Sequence, residues 1–221
     1  MDLDFHVVWT FSGALAQGLR LSVTLTVVCM ALGSLLGALL ALARTSGSLW
    51  LSLPATAYVE LLRGTPVLIQ LFWVFFCLPL VIGFEPSNFA SGVIALSLSM
   101  GAITAETFRA ALRSISRDQK DACAALGLSR WARTRYVVLP QALLRATPVL
   151  LSNTITLFKE SALVSAVGLA DLMFIGGNIS NSVGRPIEVL TSVAAIYFVI
   201  AFPLTRVVTR VEKGMLRKLA L

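Results

Sequence analysis

A chain of 221 residues that is 57% hydrophobic and only 13% charged, with a mean hydropathy of +0.86, lacks the polar surface that keeps a water-soluble globule dispersed. Membrane spans use most of that length, which excludes a large soluble domain and leaves one membrane domain. The formal charge of +7 argues for nucleic acid only if its Lys and Arg lie where membrane topology does not already call for them.

The N-terminus carries Asp2 and Asp4 where a secretory signal carries Lys or Arg, and no cleavable leader is expected. Phe5, Val8, Trp9, Phe11 and Leu15 form either one side of a short interfacial helix or an unstructured lead-in. A span needs about 20 apolar residues, and residues 21–43, 64–84 and 86–105 meet that test without a charge. The second is expected to begin earlier, near Leu51, with Glu60 and Arg63 in its first turns. A fourth span, 137–158, is interrupted by Pro140, Arg145 and Pro148, and a fifth, 187–205, has Pro203 near its end. Between these two, residues 161–184 are apolar but broken by Asp171, Gly176 and Gly177, which suits a short helix plus a re-entrant or surface segment.

Five spans place the termini on opposite sides, and the basic residues choose the orientation. The third connection holds Arg109, Arg113, Arg117, Lys120, Arg130, Arg133, Arg135 and Arg145, and the tail holds Arg206, Arg210, Lys213, Arg217 and Lys218. Arg44 falls on the same side, whereas the other face has Asp2, Asp4, Glu85 and Glu188 against Arg20 and Arg185. The N-terminus is therefore expected outside and the C-terminus in the cytoplasm. Topology accounts for the net charge and removes most of the case for nucleic acid.

The basic loop carries helix signals in order. Ser116 and Gln119 have capping-box spacing, an Ala-rich stretch runs to Leu126, Gly127 stands where a left-handed residue ends a helix, and Ser129 can cap a second short helix from Arg130. Helix, Gly turn, helix is the expected outcome, with Ala122, Ala125, Leu126 and Trp131 shown among the charges. A DNA-binding helix-turn-helix has a similar outline, but tethering to the membrane at both ends would hinder docking in a groove.

The loop reads Asp121-Ala122-Cys123, three residues, Gly127, nine residues, Val137-Val138-Leu139-Pro140. It resembles the coupling motif of ABC importer permeases, with Asp, Cys and Val standing where that family has Glu, Ala and Ile. Tyr58-Val59-Glu60-Leu61-Leu62-Arg63-Gly64-Thr65-Pro66, Gln70-Leu71-Phe72, Ala105-Glu106 and Leu139-Pro140-Gln141-Ala142 extend the likeness over about residues 20–210, toward the branch that imports polar amino acids. The resemblance implies an all-α, polytopic helical bundle of about five transmembrane helices, the type I ABC importer permease fold with a cytoplasmic coupling helix. It also implies residues 1–18 outside, a membrane domain over 19–212 with its coupling loop at 114–140, and a cytoplasmic tail at 213–221. The implied setting is the bacterial inner membrane. Implied partners are an ATPase dimer that uses ATP and Mg, a second permease subunit, identical or not, and an extracytoplasmic solute-binding protein. Asp121, Ala122, Cys123, Ala125, Leu126, Gly127, Leu139 and Pro140 are the implied ATPase contacts. No Lys is followed by Ser or Thr, so the chain has no Walker A phosphate loop and ATP must be hydrolysed elsewhere.

Ionisable residues at membrane depth cost about 2.5 to 3.5 kcal/mol each and need a partner or a purpose. Glu60 and Arg63, and Glu106 and Arg109, are each three apart on a helix. They stand either as local ion pairs at a cytoplasmic gate or as part of an amino-acid path. Lys159-Glu160-Ser161, after the broken fourth span, is either an interfacial Lys with its neighbours or a polar cluster lining a cavity. With Asn153, these residues complete the candidate substrate path: Glu60, Arg63, Glu106, Asn153, Lys159, Glu160 and Ser161. Cys29, Cys77 and Cys123 lack metal-ligand spacing and read as apolar fillers, and His6 is isolated. No catalytic or metal site is expected, and no cofactor bound by this chain. A stand-alone proton-coupled carrier using Glu60, Glu106 or Glu160 is the rival reading.

Overall fold

The computed structural model describes residues 4–219, and the side chains of Lys120 and of residues 216–219 are outside that description. Asp2, and the side chains of Arg217 and Lys218, counted above for orientation, therefore lie outside the described residues.

A short helix α1 (His6–Thr10) leads into α2 (Ser12–Thr45), so helix begins well before the charge-free stretch. At 34 residues, α2 is about 51 Å long at 1.5 Å per residue, more than the hydrocarbon core requires. Its chief partner is α6 (Asn88–Arg113), the central helix of the bundle. The two approach closely because the seam is made of small residues. A Cβ on Gly37 would lie 2.0 Å from Thr104 Oγ1 and 2.7 Å from the Ala105 amide nitrogen, and one on Gly33 would lie 2.7 Å from Met100 Cβ. That closeness lets the Thr104 hydroxyl donate across the seam to the Gly33 carbonyl at 2.9 Å. Lipid is as apolar as leucine, so such contact, and not the hydrophobic effect, holds the pair together. Leu25, Cys29, Leu71, Leu96, Met100, Leu157 and Val164 complete the core around it.

The second span does not run straight from Leu51. Helix α3 (Leu49–Gly64) ends at Thr65, and the chain turns by 108° into α4 (Val67–Phe72), a π-helical turn (Trp73–Cys77) and α5 (Leu78–Ile82). Pro66 causes the break: its ring forces Thr65 into an extended conformation, φ −115° and ψ 141°. Gln70 finishes the α3 end by donating from Nε2 to the carbonyls of Leu62 (2.7 Å) and Thr65 (3.0 Å).

After α6 come α7 (Arg117–Ala125), α8 (Arg130–Arg133), a π-helical turn (Thr134–Val138) and α9 (Leu139–Glu160). Pro148 does not break α9, and Pro140 stands in its first turn, directly after the π-helical turn. Both π-helical turns stand just before a Leu-Pro pair, Leu78-Pro79 and Leu139-Pro140. A wide turn there accommodates the proline ring's clash with the preceding carbonyls.

A 3₁₀ turn (Ser161–Val167) then leads, with a 53° bend, into α10 (Leu172–Val183), and α11 (Pro186–Leu219) closes the fold. The short helix expected after residue 161 is present, but it is not a surface segment. Leu172 and Asp171 are fully buried, and Gly176, read as a break, lies inside α10 where a Cβ would meet Val193 of α11 at 2.5 Å. Three helices are long and apolar enough to cross a membrane, or five if each bent pair is one span. The described residues contain no strand, so the all-α membrane bundle stands.

Candidate functional site: an ionic knot and a presented loop

Three helix ends meet around Arg44, in the last turn of α2. Its side chain is only 7% exposed and is spent on three partners: Glu106 Oε2 on α6 at 2.9 Å, Glu60 Oε1 on α3 at 3.5 Å, and the Thr56 hydroxyl at 3.2 Å. Arg109 closes the group by pairing with both carboxylate oxygens of Glu106, its Nε lying 3.0 Å from Oε2. Of the two local pairs read from spacing, Glu106–Arg109 forms. Glu60 instead reaches across to Arg44, while Arg63 is exposed and makes no ion pair among the described residues. The reason is burial: a guanidinium out of water needs several acceptors, and one carboxylate already bound by Arg109 is not enough. Arg44 is thus the residue that joins the two acids, and sequence reading used it only as a topological charge. Its position at the end of a charge-free span, level with Glu60 and Glu106, was the available signal.

Deeper in the bundle, Asn153 donates from Nδ2 to the Thr107 hydroxyl on α6 at 3.3 Å. Lys159-Glu160-Ser161 does not form one cluster. Lys159 is exposed, Glu160 is half-buried, and Ser161 is fully buried with its hydroxyl donating to the Phe158 carbonyl at 2.8 Å. A helix turns about 100° per residue, so three neighbours in sequence face three surroundings. Asp171 is a fully buried acid just beyond this segment. Its Oδ1 accepts from the Phe174 N–H at 2.9 Å to cap α10, Tyr197 of α11 donates to Oδ2 at 3.5 Å, and the adjacent Leu172 N–H donates to Ser22 of α2 at 3.3 Å. Sequence reading took Asp171 as a span breaker, although Asp three residues before Phe174 is also an N-cap signal.

The loop between α6 and α9 is built as its spacing predicts. Ser116 accepts from the Gln119 N–H at 3.3 Å to start α7, and Ser129 accepts from the Ala132 N–H at 3.2 Å to start α8. Gly127 has φ +69°. The Gly127 N–H donates to Ala124 and the Leu128 N–H to Cys123, a Schellman closure that satisfies the last carbonyls of α7. Cys123 is buried, consistent with an apolar filler, while Asp121, Ala122, Ala125, Leu139 and Pro140 are exposed. Leu126 is 78% exposed and Trp131 68%, with Trp131 packed edge-on against Tyr136 at 5.8 Å. The base of the loop is fixed: Ala111, Ile115, Ala142 and Ala146 form a small core, and Arg145 on α9 donates from Nη1 to the carbonyl and hydroxyl of Ser114 at 2.6 and 3.0 Å. Sequence reading treated Arg145 as an interruption of a span. Its role as a staple depends on a residue 31 positions away, which no local pattern reports. Among the described residues, no group of three His, Cys, Asp or Glu could hold a metal ion.

The fold recurs in known proteins. Residues 33–217 match the family described as the binding-protein-dependent transport system inner membrane component. The chain is 32% identical over 216 residues to the glutamine transport system permease protein of Escherichia coli K12, covering 97% of this chain and 99% of that one. It is 33% identical over 218 residues to the arginine transport system permease protein of Bacillus subtilis 168, covering 97% and 98%. An amino acid ABC transporter crystallised with histidines superposes with a TM-score of 0.92 at 32% identity, over 97% of this chain and 100% of the other. The inward-facing MetNI methionine transporter shares the fold, with a TM-score of 0.77 at 22% identity, over 93% and 98%. From its central seam to its presented loop, the chain is a multi-pass membrane permease and belongs to the binding-protein-dependent transport system inner membrane component family.

Proposed function

We propose that this chain is the permease subunit of an ATP-driven importer that carries polar amino acids across the inner membrane. One observation carries the reading: a rigidly based helix–Gly–helix loop, showing Leu126 and Trp131 to solvent, on a chain similar end to end to permeases named for glutamine and arginine transport. An exposed aromatic and an exposed leucine on a stapled platform are what a docking surface needs. Motion of a bound ATPase would pass through α7 and α8 into α6 and α9 as rigid-body displacement.

The positive charge of the loop and tail supports a topology with residues 114–140 and 213–221 in the cytoplasm, residues 1–18 outside, and the membrane domain over 19–212. ATP and Mg are used by the ATPase partner, this chain does no chemistry itself, and a second permease and a solute-binding protein complete the assembly. Asp121, Ala122, Ala125, Leu126, Gly127, Leu139 and Pro140 form the ATPase side of the loop, with Cys123 buried beneath them. The Arg44 knot, including Glu60 and Glu106, ties three helix ends together. Asn153, Lys159, Glu160 and Ser161 mark the segment along which solute passes. The stand-alone carrier loses ground because two of its three candidate proton acids, Glu60 and Glu106, are tied to Arg44.

The test is ATPase stimulation of the reconstituted complex with its binding protein against a panel of amino acids. Stimulation by polar amino acids and not by aliphatic ones is expected. Uptake by the purified permease alone, driven by a proton gradient, would sink the reading.

A further inference from the structure

A cavity of about 260 Å³ opens between α9 and α11, just under the range of about 300 to 1,000 Å³ for small-molecule pockets. Its polar wall consists of Ser152 and Asn153 from α9 and Thr205, Thr209 and Glu212 from α11, and among the described residues no Lys or Arg lines it. The Thr205 hydroxyl donates to the Ala201 carbonyl at 2.9 Å, and the Thr209 hydroxyl to the Thr205 carbonyl at 3.0 Å. Asn153 spends one of its two amide N–H groups on Thr107. The two threonines therefore offer only acceptor lone pairs, Ser152 and Asn153 offer donors as well as acceptors, and Glu212 adds a carboxylate, which is acceptor-only when ionised. A wall rich in acceptors, whose one charged group among the described residues is negative, fits a ligand bearing an ammonium or a guanidinium.

Depth agrees with this. Counting about 1.5 Å per residue from Pro186, Thr205 lies about 29 Å and Glu212 about 39 Å along α11, so the carboxylate stands beyond a hydrocarbon core of about 30 Å. The cavity therefore opens to water at the end of the molecule where the loop is presented.

We propose that this crevice is a binding site for a small cationic molecule bearing an ammonium or guanidinium group, entered from the side to which solute is delivered. It rests on the importer reading, since only then is that side the one where imported amino acid accumulates. A bound cation bridges α9 and α11 and slows the next cycle.

The permease–ATPase complex without binding protein, in nanodiscs, is titrated with radiolabelled arginine, with agmatine, which keeps the guanidinium and lacks the α-carboxylate, and with glutamate. Saturable binding of arginine and agmatine but not glutamate is expected, weakened about tenfold by Glu212→Gln and by Thr209→Val. In proteoliposomes with binding protein, arginine on the delivery side should slow wild-type uptake, and the ratio of rates with and without it should approach one in Glu212→Gln. Glutamate binding as well as arginine, or arginine binding unchanged in both variants, would overturn the site. Because wild-type uptake is measured in the same vesicles, failure of the importer reading appears separately, as no ATP-driven uptake at all.

Discussion

Two regions of this protein depend on glycine for opposite reasons. In the seam between α2 and α6, Gly33 and Gly37 are needed for space, because a Cβ at either would strike the facing helix. In the loop, Gly127 has nothing within 4 Å of where its Cβ would stand and is needed for its backbone angle, φ +69°. The seam is complete within the chain: the fully buried Thr104 hydroxyl is bonded across it to the Gly33 carbonyl. The loop is finished only in its backbone, and leaves Leu126 and Trp131 without cover among the described residues. One region holds the bundle together, and the other is shaped for something outside it.

The sharpest way to break this contrast is Gly37→Leu. Backbone atoms of Ala105 and Gly101 lie at 2.7 and 2.9 Å from the site of its Cβ, so no rotamer change relieves the clash. A loss of about 3 kcal/mol or more is expected, read as a collapse in folded yield and in thermal stability in detergent. Trp131→Ala should do the reverse, leaving the melting temperature of the isolated permease unchanged while weakening association with the ATPase by about 2 kcal/mol, about thirtyfold, in a pull-down titration. Unaltered ATPase affinity would remove the loop from the interface. Arg44→Ala should cost about 2 kcal/mol of stability through its lost charged hydrogen bonds. Glu60→Gln added to it should cost little more, because the ion pair of Glu60 with Arg44 is already gone. Gly127→Val should cost the least of the three destabilising changes, about 1 to 2 kcal/mol of local strain at a positive φ, absorbed by loosening the α7 end. Its effect should appear as ATP hydrolysis that no longer yields proportionate uptake, and full coupling in this variant would count against the rigid-lever role.

The sequence made the loop legible almost completely, because capping serines, a C-terminal glycine and Leu-Pro act over four or five residues and their bonds form locally. The span count was legible for the same kind of reason, since hydrophobic length is a local property. Less accessible was whatever depended on a neighbour far along the chain. Arg44 was visible, yet its choice of Glu106 and Glu60 follows from how α2, α3 and α6 converge. Pro66 was visible too, but the apolar run around it reads as one span until the 108° turn is seen. The Gly33-Ser34-Leu35-Leu36-Gly37 spacing is a small-xxx-small signal of close helix contact, as is Gly101-Ala102-Ile103-Thr104-Ala105 on α6, yet neither says by itself which two helices meet. Asp171 looked like an interruption because a buried acid in an apolar stretch is interpretable only when Tyr197 and Ser22 are known to stand beside it.

The contact between Arg145 and Ser114 has a thermodynamic consequence. It pins together two points 31 residues apart, so the segment between them is a closed ring before any partner arrives. Closing a flexible segment of that length costs about 3 kcal/mol in chain entropy. Here folding of the permease has already met that cost, with the small core of Ala111, Ile115, Ala142 and Ala146. On the proposed docking, an ATPase seated on α7 and α8 would meet a surface whose disorder is spent, and more of its contact energy would be left for holding on while the assembly changes shape.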